Sequence, residues 1–130
     1  MMQLNDIIAM SEDQERGAWF VLADPLTGRP TGIRLRIAGP DSETQRKARL
    51  RLADDLVEMS DIDGRVSSEN REKARIANLA RCVLGWECDE DGQPVPFNTA
   101  NVIRLIRAAT WVEAQIDAYA SDRAAHRGGA

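Results

Sequence analysis

Hydrophobic and polar residues alternate strictly along the stretch TGIRLRIAGP, residues 31–40. One face of this pattern holds Ile33, Leu35 and Ile37, and the other holds Arg34 and Arg36. Alternation with a period of two predicts a strand that is buried on one face. The stretch AWFVLADP, residues 18–25, predicts a second strand because it is rich in aromatic and β-branched residues and ends in a turn signal. We therefore expect a β-hairpin over residues 18–38, whose apolar face packs on helices or on another copy of the chain.

After the hairpin, apolar residues recur at helical spacing and predict two helices, over about residues 42–60 and 68–84. The predicted N-caps are Asp41 or Ser42 for the first helix and Ser67 for the second, and Gly85 would end the second helix. Serine and aspartate suit the start of a helix because their side-chain oxygens accept free backbone N–H groups. Glycine suits the end because it adopts the left-handed conformation found there.

Two more helices are predicted in the last third of the chain. One starts at Asn98 or Thr99, and the sequence TWVE from Thr110 has the spacing of a capping box, so the helix kinks or restarts there and runs to about Ala125. The predicted fold is α+β and helix-dominant, with an N-terminal β-hairpin followed by about four α-helices packed in one domain. Its parts are an N-terminal segment (1–16), the hairpin (18–38), a helical region (41–126) and a frayed tail (127–130) of the single domain 1–130.

The composition is that of a soluble globular domain. Of the 130 residues, 43% are hydrophobic and 29% are charged. No apolar run approaches the roughly 18 residues of a membrane span, and acids stand where a signal peptide would carry positive charge. We therefore expect a cytoplasmic protein that has no membrane partner.

The net charge of -4 conceals a separation of charges along the chain. Seven basic residues and two acids lie from Arg29 to Arg51, and five acids then follow with no base among them. This arrangement fits a solvated helix face with i,i+4 pairs, such as Arg51 with Asp55, or complementary faces that join copies or attract a partner. Nucleic acid is not an expected partner, because the bases are few and no aromatic residues interleave with them. The candidate protein contacts are Arg34, Arg36, Arg46, Lys47 and Arg49.

The stretch GWECDEDGQPVPF, residues 85–97, invites a metal or redox interpretation and fails on spacing. A calcium loop with Gly92 at position 6 needs a glutamate at position 12, where this chain has Asn98. A zinc site needs four close ligands, but the chain has two cysteines, Cys82 and Cys88, and one histidine, His126, where the predicted frayed tail begins. Cys82 is predicted to be a small core residue, and Cys88 has no neighbouring base to activate it. We predict no metal, no cofactor and no catalytic residue, and hence a protein that is not an enzyme.

Aromatic side chains are the remaining candidate positions. We predict that Trp86 and Phe97 pack on either side of an Asp-Gly turn. The predicted structural anchors are Trp19, Trp86, Phe97 and Trp111. The alternative for a tryptophan is a hot spot of an interface, because this residue type is enriched in such positions.

Two segments resemble the tail assembly chaperones of long-tailed bacteriophages and prophages. The first, DPLTGRPTGIRLRIAGPDSE, is similar to the hairpin and helix entry near the start of those proteins. The second runs from GW through the DEDG turn and PVPF to NTANVIRLI and a last helix that carries a tryptophan. The residues that match the family pattern there are Trp86, Asp91, Gly92, Pro94, Phe97 and Asn101.

The resemblance implies a non-enzymatic protein that binds the tape measure protein, keeps that long helical chain in solution and helps recruit tail tube subunits during polymerisation. It also implies self-association and action in the cytoplasm of the host bacterium. No catalytic role is carried over with the matching residues. Two other functions stay open: a structural virion component, such as a tail or head–tail joining subunit, and a phage-encoded protein that binds a host factor.

Overall fold

A three-stranded antiparallel sheet and five α-helices form the fold in a computed structural model that describes residues 1–127. In chain order the elements are α1 (Leu4–Arg16), β1 (Ala18–Ala23), β2 (Pro30–Ile37), α2 (Glu43–Glu58), α3 (Ser68–Arg81), β3 (Val83–Glu87), β4 (Asp89–Glu90), β5 (Gln93–Pro94), α4 (Thr99–Ala108) and α5 (Thr110–Ala120), followed by a 3-10 turn (Arg123–His126). This architecture confirms the α+β, helix-dominant class. Of the predicted frayed tail, Arg127 is exposed and residues 128–130 lie outside the described part.

The predicted hairpin is confirmed as strands β1 and β2, which pair antiparallel with Phe20 opposite Leu35. The third strand, β3, pairs with the other side of β2 and places Trp86 opposite Leu35. Strand β2 is therefore central, and its apolar side chains lie in a core shared with helices α2 to α5. The buried members of this core are Leu22, Leu35, Ile37, Ala48, Ile76, Leu79, Ala80, Cys82, Val83, Val102, Ile106, Val112, Ile116 and Ala120.

Strand β3 takes the place of the predicted end of the second helix. Helix α3 ends at Arg81, and Gly85 lies within β3, so the prediction of Gly85 as a helix cap is wrong. The chain turns at Cys82, whose carbonyl oxygen accepts a hydrogen bond from the Ala38 N–H at 2.9 Å. The physical reason is that an isolated hairpin is only marginally stable, and a third strand pairs the second edge of β2. Val83 then lies opposite Ile37 and joins the core.

Three predicted helix starts are confirmed, and one predicted cap is wrong. The confirmed N-caps are Ser42, Ser67 and Asn98, whose side chains accept the N–H groups of Gln45, Asn70 and Asn101 at 3.1, 3.1 and 2.8 Å. The helix does restart at Thr110, but Ala109 is the N-cap of α5 and no side chain caps it. Glu113, the expected partner in a capping box, instead accepts a hydrogen bond from Arg75 Nε at 2.8 Å.

Residues 1–16, in which the pattern predicts no element, contain helix α1. The C-terminal half of this helix is fixed to the rest of the chain by Gln14, which is buried. Its side-chain Oε1 accepts the Asp41 N–H at 2.6 Å, and its carbonyl oxygen accepts the Gly39 N–H at 2.9 Å. The first ten residues are all exposed. Helix α1 is therefore held at one end only.

The end of the described chain docks at the same place through His126. This residue is buried, so the prediction that the chain begins to fray there is wrong, and α5 ends at Ala120 rather than near residue 125. Its ring nitrogens lie 2.8 Å from the Asp122 carbonyl oxygen and 3.0 Å from that of Ile37. A neutral imidazole donates to one of these oxygens, and the doubly protonated ring donates to both. Arg123 supports the turn by donating two hydrogen bonds to Asp41, at 2.6 and 3.0 Å, which lowers the pKa of that carboxyl.

Gly39 lies between α1 and the C-terminal turn, and a side chain there has no room. A Cβ at this position would lie 2.8 Å from Gln14 Cβ and 2.9 Å from His126 Cγ. We expect Gly39→Ala to push both elements away and to lower the free energy of unfolding by about 1–3 kcal/mol. Urea denaturation measures the loss. Gly85→Ala is the matched control, because a Cβ there meets no atom within 4 Å; an equal loss in both variants would contradict the proposed crowding.

Candidate protein-interaction surface

The outer face of the three-stranded sheet carries two of the arginines predicted as protein contacts. Residues that lie opposite each other in adjacent strands share a face, so Arg36 lies with Trp19 on the outer side. Arg34 lies there with Val21 on one neighbouring strand and Glu87 on the other. Both arginines are half-buried, and the other three side chains are exposed. We call Trp19, Val21, Arg34, Arg36 and Glu87 the open sheet face.

Arg34 is fixed in place by contacts on two strands. Its Nη1 lies 2.9 Å from both carboxylate oxygens of Glu87, and its guanidinium lies 4.6 Å from the centre of the Trp19 ring. A cation over an aromatic face is worth about 0.5–1 kcal/mol at an exposed site. Arg36 Nη1 donates to the carbonyl oxygen of Arg16, at the end of α1, at 3.0 Å. The open sheet face is thus an ordered surface whose charged groups are already oriented.

The prediction that Trp19 is a core anchor is wrong. Its side chain is 44% exposed, because β1 turns Phe20 and Leu22 inward and Trp19 and Val21 outward. Both alternating sets of β1 are apolar, so the period of two did not reveal which set is buried. Trp19 instead fits the alternative, an exposed aromatic that is available to a partner.

The free edge of β1 is closed to another strand by helix α5. Gln115 makes two hydrogen bonds with Ala23, donating to its carbonyl oxygen at 2.8 Å and accepting from its N–H at 2.9 Å. The hydroxyl of Tyr119 donates to the carbonyl oxygen of Trp19 at 3.0 Å. Capping an edge strand in this way opposes pairing between sheets of different molecules. A partner of this sheet is therefore expected to use side chains on its face.

The other three predicted contacts, Arg46, Lys47 and Arg49, form a separate group on α2. All three are exposed, and Arg46 pairs with Glu43 at 2.9 Å. Lys47 and Arg49 make no ion pair with any residue from 1 to 127. The predicted pair of Arg51 with Asp55 is confirmed at 3.0 Å. The five predicted contacts therefore belong to two surfaces, one on β2 and one on α2.

The stretch from Gly85 to Phe97 folds as a strand and a small hairpin. Asp91 and Gly92 connect β4 to β5 with φ angles of 53° and 76°, as a two-residue type I′ turn requires. The predicted packing of Trp86 against Phe97 is confirmed, with ring centres 5.9 Å apart in an edge-to-face arrangement. Trp86 Nε1 also donates to the Val95 carbonyl oxygen at 2.9 Å. Of the predicted anchors, Trp86 and Trp111 pack against the core. Phe97 is 45% exposed and contacts Trp86 at the edge of the domain, so the prediction that it anchors the core is wrong.

A cleft of about 220 Å³ lies between this hairpin and α4. Its walls include Ile33, Trp86, Cys88, Val95, Arg104 and Leu105. This volume is below the roughly 300–1,000 Å³ of typical small-molecule sites. The cleft is therefore small for a substrate or cofactor.

The two cysteines lie in environments that keep their thiols protonated. Burial raises the pKa of Cys82 to about 11, and its Sγ donates to the Asn78 carbonyl oxygen. The prediction that Cys82 is a core residue is confirmed. Partial burial and the neighbouring Asp89 raise the pKa of Cys88. Neither thiol is activated as a nucleophile, since reactivity requires a lowered pKa.

The first two turns of α1 form an exposed apolar surface. Leu4, Ile7 and Ile8 lie on one side of the helix, since residues three and four apart are neighbours there, and between 48% and 72% of each side chain is exposed. We call these three residues the α1 stripe. The helical spacing of these three residues is present in the sequence. Because the apolar pattern is short and the second half of the helix is polar, the pattern did not predict α1.

Comparisons with known proteins add no assignment to these surfaces. No protein-family model, curated protein or solved structure matches the chain. Within residues 1–127, no group of three or more His, Cys, Asp or Glu residues could hold a metal ion. None of the helices in that range is long and apolar enough to cross a membrane.

Proposed function

We propose that the protein is a non-enzymatic assembly chaperone, or adaptor, of a long-tailed bacteriophage. It binds the tape measure protein in the cytoplasm of the host bacterium, associates with further copies of itself and aids polymerisation of the tail tube. The observation that carries this proposal is the open sheet face, on which an exposed tryptophan lies against an ordered arginine. The two segments that resemble the phage family supply the class of partner.

The chemistry of the open sheet face suits a long helical partner. Trp19 and Val21 offer apolar area to the hydrophobic side of a helix, and tryptophan is among the residues that contribute most to interface energy. Arg36 lies beside them and can pair with acids that flank such a side. The edge of β1 is closed by α5, so the face rather than the edge receives the partner.

Co-expression with the tape measure protein of the same phage tests this function. We expect the tape measure protein to be insoluble alone and to form a soluble complex when this protein is present, because the complex covers its apolar helical surface. The measurement is the fraction of tape measure protein in the cleared lysate and its co-purification. A tape measure protein that is equally soluble alone would overturn the proposal.

A variant of Trp19 tests whether the tape measure protein binds the open sheet face. Trp19→Ala should reduce the soluble fraction of tape measure protein, whereas Leu26→Ala, which removes an exposed side chain outside the open sheet face, should leave it unchanged. If both variants behave as the wild type, the partner binds elsewhere. Mass spectrometry of purified particles tests the structural alternative, since a virion subunit is present in stoichiometric amount and a chaperone is absent.

A further inference from the structure

The α1 stripe is an apolar helix face that no residue from 1 to 127 covers. The α1 stripe lies on the same side of α1 as the buried Gln14. This side of the helix packs against the rest of the chain at its C-terminal end and is exposed at its N-terminal end. Clustered exposed apolar side chains of this kind mark interaction sites in soluble proteins. The α1 stripe is therefore a candidate contact surface for a second molecule.

A second bare stripe lies on α2. Leu50, Ala53 and Val57 are three and seven residues apart on its outward side, and all three are exposed. Leu50 is 55% exposed and Val57 is 74% exposed, whereas Leu52 and Leu56 are half-buried. We call Leu50, Ala53 and Val57 the α2 stripe. Both stripes are exposed in one and the same chain, so they do not cover each other within a copy.

The α1 stripe is short enough to lie along the α2 stripe. The α2 stripe spans seven residue steps, or about 10 Å at 1.5 Å per residue, and the α1 stripe spans four, from Leu4 to Ile8, or about 6 Å. All three apolar side chains of the α1 stripe can therefore face the α2 stripe.

The charges around the two stripes favour one orientation. Helix α1 carries four acids, Asp6, Glu12, Asp13 and Glu15, against the single base Arg16. Helix α2 carries four bases and four acids, of which the exposed acids Asp54 and Glu58 lie within and after the α2 stripe. Glu12 follows the α1 stripe by one turn and is exposed, and it makes no ion pair within residues 1–127. Lys47 and Arg49, which precede the α2 stripe, are likewise exposed and free of ion pairs in that range. An antiparallel arrangement of the two helices brings Glu12 to these bases and leaves the apolar residues facing one another.

We propose that the α1 stripe of one copy packs antiparallel against the α2 stripe of a second copy. The contact joins two different surfaces, so every copy offers both a donor helix and a receiving helix. Reciprocal exchange closes a dimer, and head-to-tail exchange builds a ring or a longer assembly. This contact assigns the surfaces of the self-association in the proposed function and rests on that part of it, and it holds whether or not the tape measure protein is the partner of the open sheet face.

Two variants of the full chain test the contact by light scattering after size-exclusion chromatography. Ile7→Glu disables the α1 stripe and Leu50→Glu disables the α2 stripe, and each is expected to reduce the assembly to the mass of one chain, 14.4 kDa. Leu26→Glu, a change at an exposed leucine outside both stripes, should leave the mass of the wild type unchanged. Circular dichroism checks that all three variants keep their helices.

Mixing the two disabled variants gives the decisive result. The Leu50→Glu chain still offers an intact α1 stripe and the Ile7→Glu chain an intact α2 stripe, so the mixture should regain the mass of two chains. A mixture that stays at the mass of one chain overturns the proposal. Loss of association in Ile7→Glu alone would overturn it in favour of an α1–α1 contact. A wild-type chain that is a monomer at every concentration would overturn it in favour of a different partner.

Discussion

Leu35→Ala is expected to lower the free energy of unfolding by about 2–5 kcal/mol, because it truncates a fully buried side chain on the central strand of the sheet. Leu35 is fully buried on the central strand, with Phe20 opposite it on one side and Trp86 on the other. Truncation removes apolar area from the core and leaves a cavity that two strands and two aromatic rings cannot close without moving. Chemical denaturation, followed by circular dichroism, measures the change.

Leu26→Ala is the matched control, because it makes the same chemical change at a side chain that is almost fully exposed in the hairpin loop. We expect its stability to stay within about 0.5 kcal/mol of the wild type. Equal losses in the two variants would mean that Leu35 is not part of the cooperative core. An increase in the denaturant dependence of Leu35→Ala would instead point to a change in the unfolded state.

The elements that were predicted correctly are those whose sequence pattern is compatible with only one structure. Strand β2 alternates between apolar residues and arginines, so its buried face was clear before the structure. Ser42, Ser67 and Asn98 were recognised as helix starts because capping chemistry is local and acts within three residues. Predictions that depend only on neighbouring residues hold when no contact with a distant residue favours a different structure.

The parts that were missed depend on contacts between distant residues. The segment after Arg81 has enough apolar residues for a helix or a strand, and only the unpaired edge of β2 decides in favour of the strand. His126 is buried because it meets the carbonyl oxygen of Ile37, 89 residues earlier in the chain. No window of sequence around either residue contains the partner that fixes its structure.

The candidate surfaces were predicted in part. The five basic contacts were identified from their charge, but the structure divides them between the open sheet face and α2, and it shows that Arg34 is bound by Glu87 and Trp19 of its own chain. Helix α1 was missed because its apolar spacing is short and lies beside a polar segment, and the exposure of the α1 stripe could not be predicted because exposure depends on the whole fold. The exposed tryptophan, one of two possibilities considered for that residue type, follows from which face of β1 the helices cover.

Asp55→Ala is expected to lower the free energy of unfolding by about 2–3 kcal/mol, which makes it the second large effect. Asp55 is buried on α2, where it forms an ion pair with Arg51 at 3.0 Å and accepts a charge-assisted hydrogen bond from Arg81, on α3, at 2.9 Å. Its removal leaves the half-buried guanidinium of Arg81 with no carboxylate, while Arg81 Nη1 already lacks a hydrogen-bond partner within the described residues. Both arginines are partly exposed, so water shields them and holds the loss below that of a fully buried pair.

Two further variants show whether the loss of stability in Asp55→Ala comes from the unpaired charge of Arg81 or from the removal of the ion pair itself. Asp54→Ala removes the neighbouring exposed acid and should change stability by no more than about 0.5 kcal/mol. Replacing both partners, in Asp55→Leu with Arg81→Met, should recover much of the loss of Asp55→Ala, because it removes the unpaired charge and adds apolar packing between α2 and α3. A double variant that is no more stable than Asp55→Ala would show that the pair itself holds these two helices together. Equal stability of Asp54→Ala and Asp55→Ala would show that the pair contributes nothing.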